Sequence, residues 1–295
     1  MFVNDRLVFV ELHKTGGTHI GKWLQRLVGG EQIGKHNRVP QHLRDRFIIG
    51  SVRNPWDWYV SLWAYGCAQK GSVHRQVTRR LDLPYVWRQL GPEMGRPRFS
   101  PSDAIRQIRA DMKKPVADWR STYSDATDAD AFRRWLKMLM DPRRRFDMGE
   151  GYGFSPVSAC AGILTYRYLK LFTSLDDALY RDASLGTNPG VLEAWKSTQL
   201  INFVIRNEML EDDLLSALRQ AGHEIPEPEC EALLAAAARK SNASKRLSTS
   251  YYYDAETTAL VAERESLVVE THGYRPPEPA PESLRGKATN ASDRH

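Results

Sequence analysis

The sequence predicts an α/β fold in which a central, mainly parallel sheet carries helices on both faces. Two observations predict it. The apolar run Leu7–Leu12 is typical of a buried parallel strand, and it leads through a glycine-containing loop into a helical pattern. A second apolar run, Phe47–Val52, is followed by Arg53, Asn54 and Pro55 and then by another helical pattern. Because crossover helices connect parallel strands, this alternation favours an α/β architecture.

The loop after the first strand has the composition of an anion-binding site. It reads His-Lys-Thr-Gly-Gly-Thr, and apolar residues recur behind it at helical spacing, so a helix is expected to begin near Thr18. Gly16 and Gly17 let backbone N–H groups turn toward one point, where the helix dipole adds partial positive charge. Lys14 supplies a full charge, and Thr15 and Thr18 supply hydroxyl donors. The predicted ligand is a phosphate or a related oxyanion.

A magnesium-dependent phosphate site is disfavoured by what this loop lacks. Gly16–Trp23 spaces its glycines and lysine as a Walker A loop does, but Trp23 stands where that loop needs a hydroxyl for magnesium. Lys22 is also expected inside the first helix rather than at its start. We therefore interpret the match as accidental and Lys14, at the strand end, as the phosphate-binding lysine.

The second strand end carries a comparable pair of residues: Arg53, and Ser61 eight residues later. With this pair, the Lys-Thr-Gly-Gly-Thr loop resembles the sulfotransferase superfamily in its glycan-modifying branch. Those enzymes take sulfate from 3′-phosphoadenosine-5′-phosphosulfate (PAPS) and release 3′-phosphoadenosine-5′-phosphate (PAP). The resemblance implies that the loop holds the 5′-phosphosulfate and that Arg53 and Ser61 hold the 3′-phosphate. A guanidinium suits this role because it forks onto phosphate oxygens and keeps its charge.

The resemblance implies further nucleotide contacts. His19 is expected to add a donor at the start of the first helix. Related enzymes often close the nucleotide site with a basic loop near the C-terminus, for which Lys245 and Arg246 are the candidates. The alternative for both residues is an ordinary solvated charge pair.

Transfer of a sulfuryl group to a hydroxyl also needs a base for the hydroxyl proton. His36 is the main candidate, because heparan sulfate 6-O-sulfotransferases carry a Gly-x-His at a similar place with that histidine as the base. The unperturbed pKa of histidine, about 6.5, keeps much of it neutral near pH 7. Lys14 is expected to offset the charge left on the bridging oxygen. The other candidate bases are His13, His19, His42 and the strand carboxylate Glu11.

Two further elements are expected near the C-terminus. Asn202–Glu208 is predicted to be a strand entering a helix that runs to Ala221. A second helix is predicted over Asp254–Thr271, because Asp254 is an acceptable cap and Gly273 follows its end.

Composition bounds the possible partners. The 42 Lys and Arg less the 36 Asp and Glu give a net charge of +6, which suits a polyanionic nucleotide and an acidic glycan but is too small to indicate nucleic acid. The three cysteines, Cys67, Cys160 and Cys230, lack metal-ligand spacing and indicate a reduced compartment. With no signal peptide and no run of ~20 apolar residues, a cytoplasmic protein with no membrane span is expected.

We expect one sulfotransferase domain over residues 1–274, with an inserted, helical acceptor-binding region at about 70–155. Helices are predicted in that region near Ser102–Lys113 and at Asp130–Met140. The Pro-rich tail, 275–295, is expected to be disordered.

The resemblance therefore predicts a P-loop-like, three-layer α/β/α fold. The predicted reaction moves a sulfuryl group from PAPS, without a metal, to a hydroxyl of a carbohydrate or glycolipid. One alternative is a magnesium-dependent nucleoside or sugar kinase, which Trp23 disfavours. The other is a non-enzymatic, basic nucleic-acid-binding protein, for which no recognition motif is found.

Overall fold

The computed structural model describes most of the chain. It covers residues 1–81, 100–238 and 246–278, together with the backbone of 92–93 and 96–97. Lys245 and the tail beyond residue 278 therefore lie outside the described residues. None of the helices in the described ranges combines the length and the hydropathy that crossing a membrane requires.

The chain divides into two compact units, which we name by their content. The sheet unit comprises Met1–Asn54 and Ile163–Ala243. The helical unit comprises Pro55–Gly162 and Ser244–His295. The single domain over residues 1–274 stays a prediction.

The strands and helices are numbered in chain order. The strands are β1 (Phe2–Val3), β2 (Leu7–Val10), β3 (Glu31–Gln32), β4 (Phe47–Val52), β5 (Pro92–Glu93), β6 (Arg96–Pro97) and β7 (Phe203–Arg206). The helices of the first half are α1 (Gly17–Val28), α2 (Pro55–Cys67), α3 (Ser72–Val77), α4 (Pro101–Lys113), α5 (Val116–Ser121) and α6 (Ala129–Met140). Those of the second half are α7 (Ile163–Phe172), α8 (Ala178–Arg181), α9 (Asn188–Thr198), α10 (Leu210–Gln220), α11 (Glu227–Ala238), α12 (Thr249–Tyr252), α13 (Ala255–Arg264) and α14 (Ser266–His272).

The central sheet has the strand order β3-β1-β2-β4-β7. Its core strands β2, β4 and β7 run parallel, whereas the two-residue strands β1 and β3 pair antiparallel at one edge. The prediction of a mixed α/β fold with a mainly parallel central sheet is therefore confirmed. Parallel strands need crossover connections, which here contain α1 and the long segment between β4 and β7.

Burial explains why the two predicted apolar runs form the centre of this sheet. All four residues of β2 are buried, as expected for a strand covered on both faces. Ile49 in β4 lies opposite Phe203 in β7, so the predicted strand near Asn202 joins the same sheet. Gly50 has no room for a side chain, because a Cβ there would lie 2.9 Å from Phe172 Cζ. The end of α7 therefore packs directly on β4.

The helix α1 follows from its apolar stripe. Ile20 and Leu24 are fully buried and belong to a core cluster that includes Phe9, Ile49 and Leu214. This cluster joins α1 and α10 to the strands β2 and β4. The loop that precedes α1 is thus held between a buried strand and a buried helix face.

The helical unit is organised around α2, which begins at Pro55 as predicted. Its tryptophans are buried and use their N–H groups internally, since Trp56 donates to the carbonyl of Thr258 at 3.1 Å and Trp63 to that of Thr122 at 2.8 Å. The helices expected from the sequence near residues 102–113 and 130–140 are α4 and α6, each beginning one residue earlier.

The prediction of a single helix over Asp254–Thr271 is wrong in one respect. The structure has two helices there, α13 and α14. The Asp254 cap is confirmed, and it accepts from Thr257 N at 2.8 Å. The break comes at Glu265, which is fully buried and accepts a hydrogen bond from the hydroxyl of Tyr59. The carbonyl of the preceding residue, Arg264, accepts from Gly162 N at 2.7 Å instead of continuing the helix.

Candidate anion-binding site

The loop between β2 and α1 depends on glycine at two positions. Gly16 has φ +80°, a left-handed conformation that costs most residues energy, and it forms the N-cap of α1. A Cβ at Gly16 would also lie 2.7 Å from Leu210 Cδ1. A Cβ at Gly17 would lie 2.6 Å from Glu11 Oε1. The paired glycines are therefore required by backbone conformation at one position and by space at both.

The first turn of α1 presents backbone donors. The N–H groups of His19 and Ile20 donate to Gly16 O at 2.9 and 3.1 Å. For the N–H groups of Gly17 and Thr18, the structure records no acceptor within the described part of the chain. Such first-turn donors need an external partner, and together with the helix dipole they favour an anion.

Thr15 does not supply the predicted ligand donor through its hydroxyl. The side chain is fully buried, and Oγ1 donates to Leu12 O at 2.7 Å. Its single hydrogen is used in that bond, so Ser51 must donate the 2.6 Å bond that joins the two hydroxyls. The expectation is corrected accordingly: Thr15 ties the loop to β4 because its side chain points into the core.

Thr18 is exposed, as a ligand-binding hydroxyl requires. Lys35 Nζ lies 3.4 Å from Thr18 Oγ1, which adds a second ammonium group to the loop. Lys35 is not among the predicted site residues, although its position beside His36 was a signal that could have identified it.

Lys14 and Arg53 are brought together by a backbone contact. Lys14 has φ +63°, which is uncommon for a residue with a side chain, and its carbonyl accepts from Arg53 Nη1 at 3.2 Å. Both side chains are half-buried. The structure thus brings together two residues with separate predicted roles, the lysine for the 5′-phosphosulfate and the arginine for the 3′-phosphate.

His36 lies at the same end of β2. Its Nδ1 is 2.8 Å from the carbonyl oxygen of Glu11, and its ring stacks on that of His13 with 3.5 Å between centroids. A carbonyl oxygen only accepts, so Nδ1 carries the hydrogen of that bond. In the neutral imidazole, Nε2 is then the nitrogen without a hydrogen and the one able to take up a proton.

The remaining predicted histidines have other surroundings. His19 Nε2 lies 3.2 Å from Glu211 Oε1, a carboxylate that is 5% exposed, so this ring is directed to α10. The predicted ligand contact of His19 stays a prediction. His42 lies exposed in a short 3₁₀ turn, Gln41–Leu43.

The third parallel strand adds residues that the sequence analysis missed. A Cβ at Gly16 would lie 3.1 Å from Asn207 Oδ1, which places this side chain beside the loop. Glu208 Oε1 accepts from Asn54 N at 2.7 Å. Both residues directly follow β7, and the carboxyl ends of parallel strands meet at one edge of the sheet. That rule was the signal that could have found them.

Ser61 and Arg246 belong to the helical unit. Ser61 lies half-buried on α2, and its nucleotide role stays a prediction. Arg246 is not a solvated surface charge, because its side chain is 19% exposed and Nη1 pairs with Asp57 Oδ1. Thr249 Oγ1 donates to the same oxygen at 2.6 Å. Lys245 lies outside the described residues.

Comparisons of the chain with protein-family models, with curated proteins and with solved structures each found no match. Across the described ranges, no group of three His, Cys, Asp or Glu side chains converges as metal ligands would. What the loop binds is therefore inferred from its own residues: backbone N–H groups, an ammonium and a guanidinium around one helix N-terminus.

Proposed function

We propose that this protein transfers a sulfuryl group from PAPS to a hydroxyl of a carbohydrate or glycolipid, on a P-loop-like, three-layer α/β/α fold. The observation that carries the proposal is a pair of contacts just beyond the carboxyl end of β2. Arg53 donates to the carbonyl of Lys14, and His36 donates to the carbonyl of Glu11. Lys14 and Arg53 are suited to binding a phosphate-containing donor, and His36 is suited to accepting a proton.

The donor set fits a phosphosulfate. The first-turn N–H groups of Gly17 and Thr18 are suited to its oxygens, and Lys14 adds the charge that the 5′ end requires. Arg53 offers a fork of N–H donors for the 3′-phosphate. When bound, PAPS supplies the sulfuryl group and departs as PAP.

The histidine tautomer supports the direction of proton transfer. Nδ1–H of His36 is committed to the Glu11 carbonyl, so Nε2 accepts the proton as the acceptor oxygen forms its bond to sulfur. The bond between sulfur and the bridging oxygen breaks in the same transfer, and Lys14 offsets the charge left on that oxygen. The proton thus ends on His36, and the negative charge faces Lys14.

Calorimetry with PAP, AMP and ATP plus magnesium tests the nucleotide. A 3′-phosphate held by a charge-assisted, bidentate contact is expected to give PAP a roughly tenfold to hundredfold higher affinity than AMP. Equal affinities, or tighter binding of ATP with magnesium, would contradict the proposal and favour a kinase.

A transfer assay then tests the reaction. Radiolabelled PAPS is incubated with a panel of glycans and glycolipids in metal-free buffer, with wild-type and Lys14→Ala protein. Transfer by the wild type and a loss of about a hundredfold or more in the variant are expected. Lys22→Ala is the matched control, since this exposed lysine lies on α1 and should leave turnover unchanged. Loss of activity in the control instead would restore the Walker A interpretation.

A further inference from the structure

A second cationic cluster lies in the sheet unit, on the segment between β3 and β4. Arg44 Nη2 contacts both carboxylate oxygens of Asp176, at 3.2 and 3.1 Å, and its Nε donates to Val39 O at 3.2 Å. Arg38 reaches the same carboxylate with Nη1 alone, at 3.5 Å from Oδ1. Two guanidinium groups therefore share one carboxylate, which leaves one positive charge uncompensated in this cluster.

The other edge of Arg38 is buried without a partner. Its side chain is 13% exposed, and neither Nε nor Nη2 has a hydrogen-bond acceptor among the residues that the structure describes. Buried charged donors are rarely left unsatisfied, so these two N–H groups call for an explanation. Asp176 does not provide one, because both of its oxygens are already contacted by Arg44.

The geometry of this edge defines what it can bind. Nε and Nη2 lie on the same edge of the planar guanidinium and present two parallel N–H groups, both carried by atoms buried from solvent. This fork matches two oxygens of one carboxylate or one sulfate group. Arg44 contributes indirectly, since it holds Asp176 and Asp176 holds the opposite end of Arg38.

We propose that the Nε/Nη2 edge of Arg38 is a binding site for an oxyanion, either a carboxylate or a sulfate group. This site consists of Arg38, Arg44 and Asp176. It shares no residue with the anion site at Gly16–Thr18. The inference does not depend on the proposed sulfotransferase reaction, because it follows from the unsatisfied donors alone.

Proton–nitrogen NMR of the arginine Nε–H groups tests the site directly. The ¹⁵N-labelled protein is titrated with sodium sulfate, with sodium glucuronate and, as a neutral control, with glucose, all at one ionic strength. The Arg38 signal, assigned by its absence in Arg38→Lys, is expected to shift saturably with the anions and not with glucose. A larger shift of the Arg38 signal with glucuronate than with sulfate would show that the site prefers an oxyanion carried on a sugar. A larger shift with sulfate would show that it prefers the free ion.

Variants separate this site from the loop. Arg38→Lys keeps the charge but lacks the paired N–H donors. Added to Lys14→Ala protein, it should therefore weaken the binding of sulfate and glucuronate at least tenfold. Arg26→Lys is the matched control, because Arg26 is an exposed arginine paired with Glu229 at 2.8 Å and should change nothing. In Lys14→Ala protein the Arg38 signal should still shift. An Arg38 signal that does not move, or that moves only in step with the Arg26 signal, would overturn the proposal, since water then satisfies the buried edge.

Discussion

Two lysines, one in each unit, show how differently the same side chain is used. Lys114 in the helical unit is 1% exposed on its side chain, and its Nζ lies 2.8 Å from Asp111 Oδ1. The same ammonium donates to the carbonyls of Gln76 and Arg79, at 2.9 and 3.3 Å. All three of its hydrogens therefore have acceptors inside the protein.

Lys14 in the sheet unit stands in contrast. It is half-buried, has a left-handed backbone and lies in a loop whose next helix turn presents the N–H groups of Gly17 and Thr18. Its carbonyl accepts a hydrogen bond from Arg53, a second cationic residue, which follows β4. The difference teaches where to look for a ligand contact: a cation whose hydrogens all meet protein acceptors is structural, whereas one beside the backbone donors of a helix start is a candidate for binding an anion.

The sharpest test of this contrast is Lys114→Met. Removing the ammonium group leaves the buried Asp111 carboxylate without its cationic partner, so the free energy of unfolding should fall by about 3–5 kcal/mol. Urea denaturation followed by circular dichroism measures it. Lys137→Met is the matched control, since the Lys137–Glu256 pair is exposed and should contribute under about 1 kcal/mol. Similar losses in the two variants would show that Lys114 is not a structural cation.

His36→Ala tests the chemistry of the sheet unit. Turnover should fall by roughly 10²–10⁴ while PAP affinity and thermal stability are retained, because in the proposed reaction the imidazole accepts only the proton of the acceptor hydroxyl. The wild-type rate should rise with pH as the imidazole loses its proton, and this rise should vanish in the variant. His42→Ala is the comparison variant, since His42 is a competing candidate: with His36 as the base, it should behave as the wild type. A His36→Ala protein with near-normal turnover would move the role to His13, His42 or Glu11.

The smallest expected effect separates backbone strain from crowding in the loop. Gly16 and Gly273 both have the left-handed conformation, with φ +80° and +64°, so Ala at either position costs about 1–2 kcal/mol of stability. Of the two, Gly16 has close neighbours, whereas a Cβ at Gly273 would meet nothing within 4 Å. Gly16→Ala should therefore be the more destabilising of the two in thermal melts, and it should also weaken PAP binding. Equal losses in stability would show that Leu210 moves aside freely.

The sequence predicted those features that local patterns determine. The strands β2 and β4, the start of α2 at Pro55 and the glycine loop each follow from neighbouring residues, and all were located to within a residue or two. The helix break at Glu265 was missed, because the adjacent carbonyl, that of Arg264, accepts a hydrogen bond from Gly162, a residue distant in the chain.

Within the site, the same limit applies to side-chain direction. Spacing identified Lys14, Arg53 and His36 as candidates, but it could not show that the hydroxyl of Thr15 turns inward to Ser51. Nor could it show that His13 stacks on His36, since that contact depends on how two separate segments meet.

The hydroxyl contact between Thr15 and Ser51 has a consequence for the order of folding. It spans 36 residues and joins the loop to the neighbouring strand, so the loop can take its native conformation only after β2 has paired with β4. Closing that much chain costs entropy before any contact compensates for it, which makes such pairing a slow step. A nascent chain that ends before Phe47 accordingly lacks both the Ser51 hydroxyl that contacts Thr15 and the Arg53 guanidinium that contacts the Lys14 carbonyl.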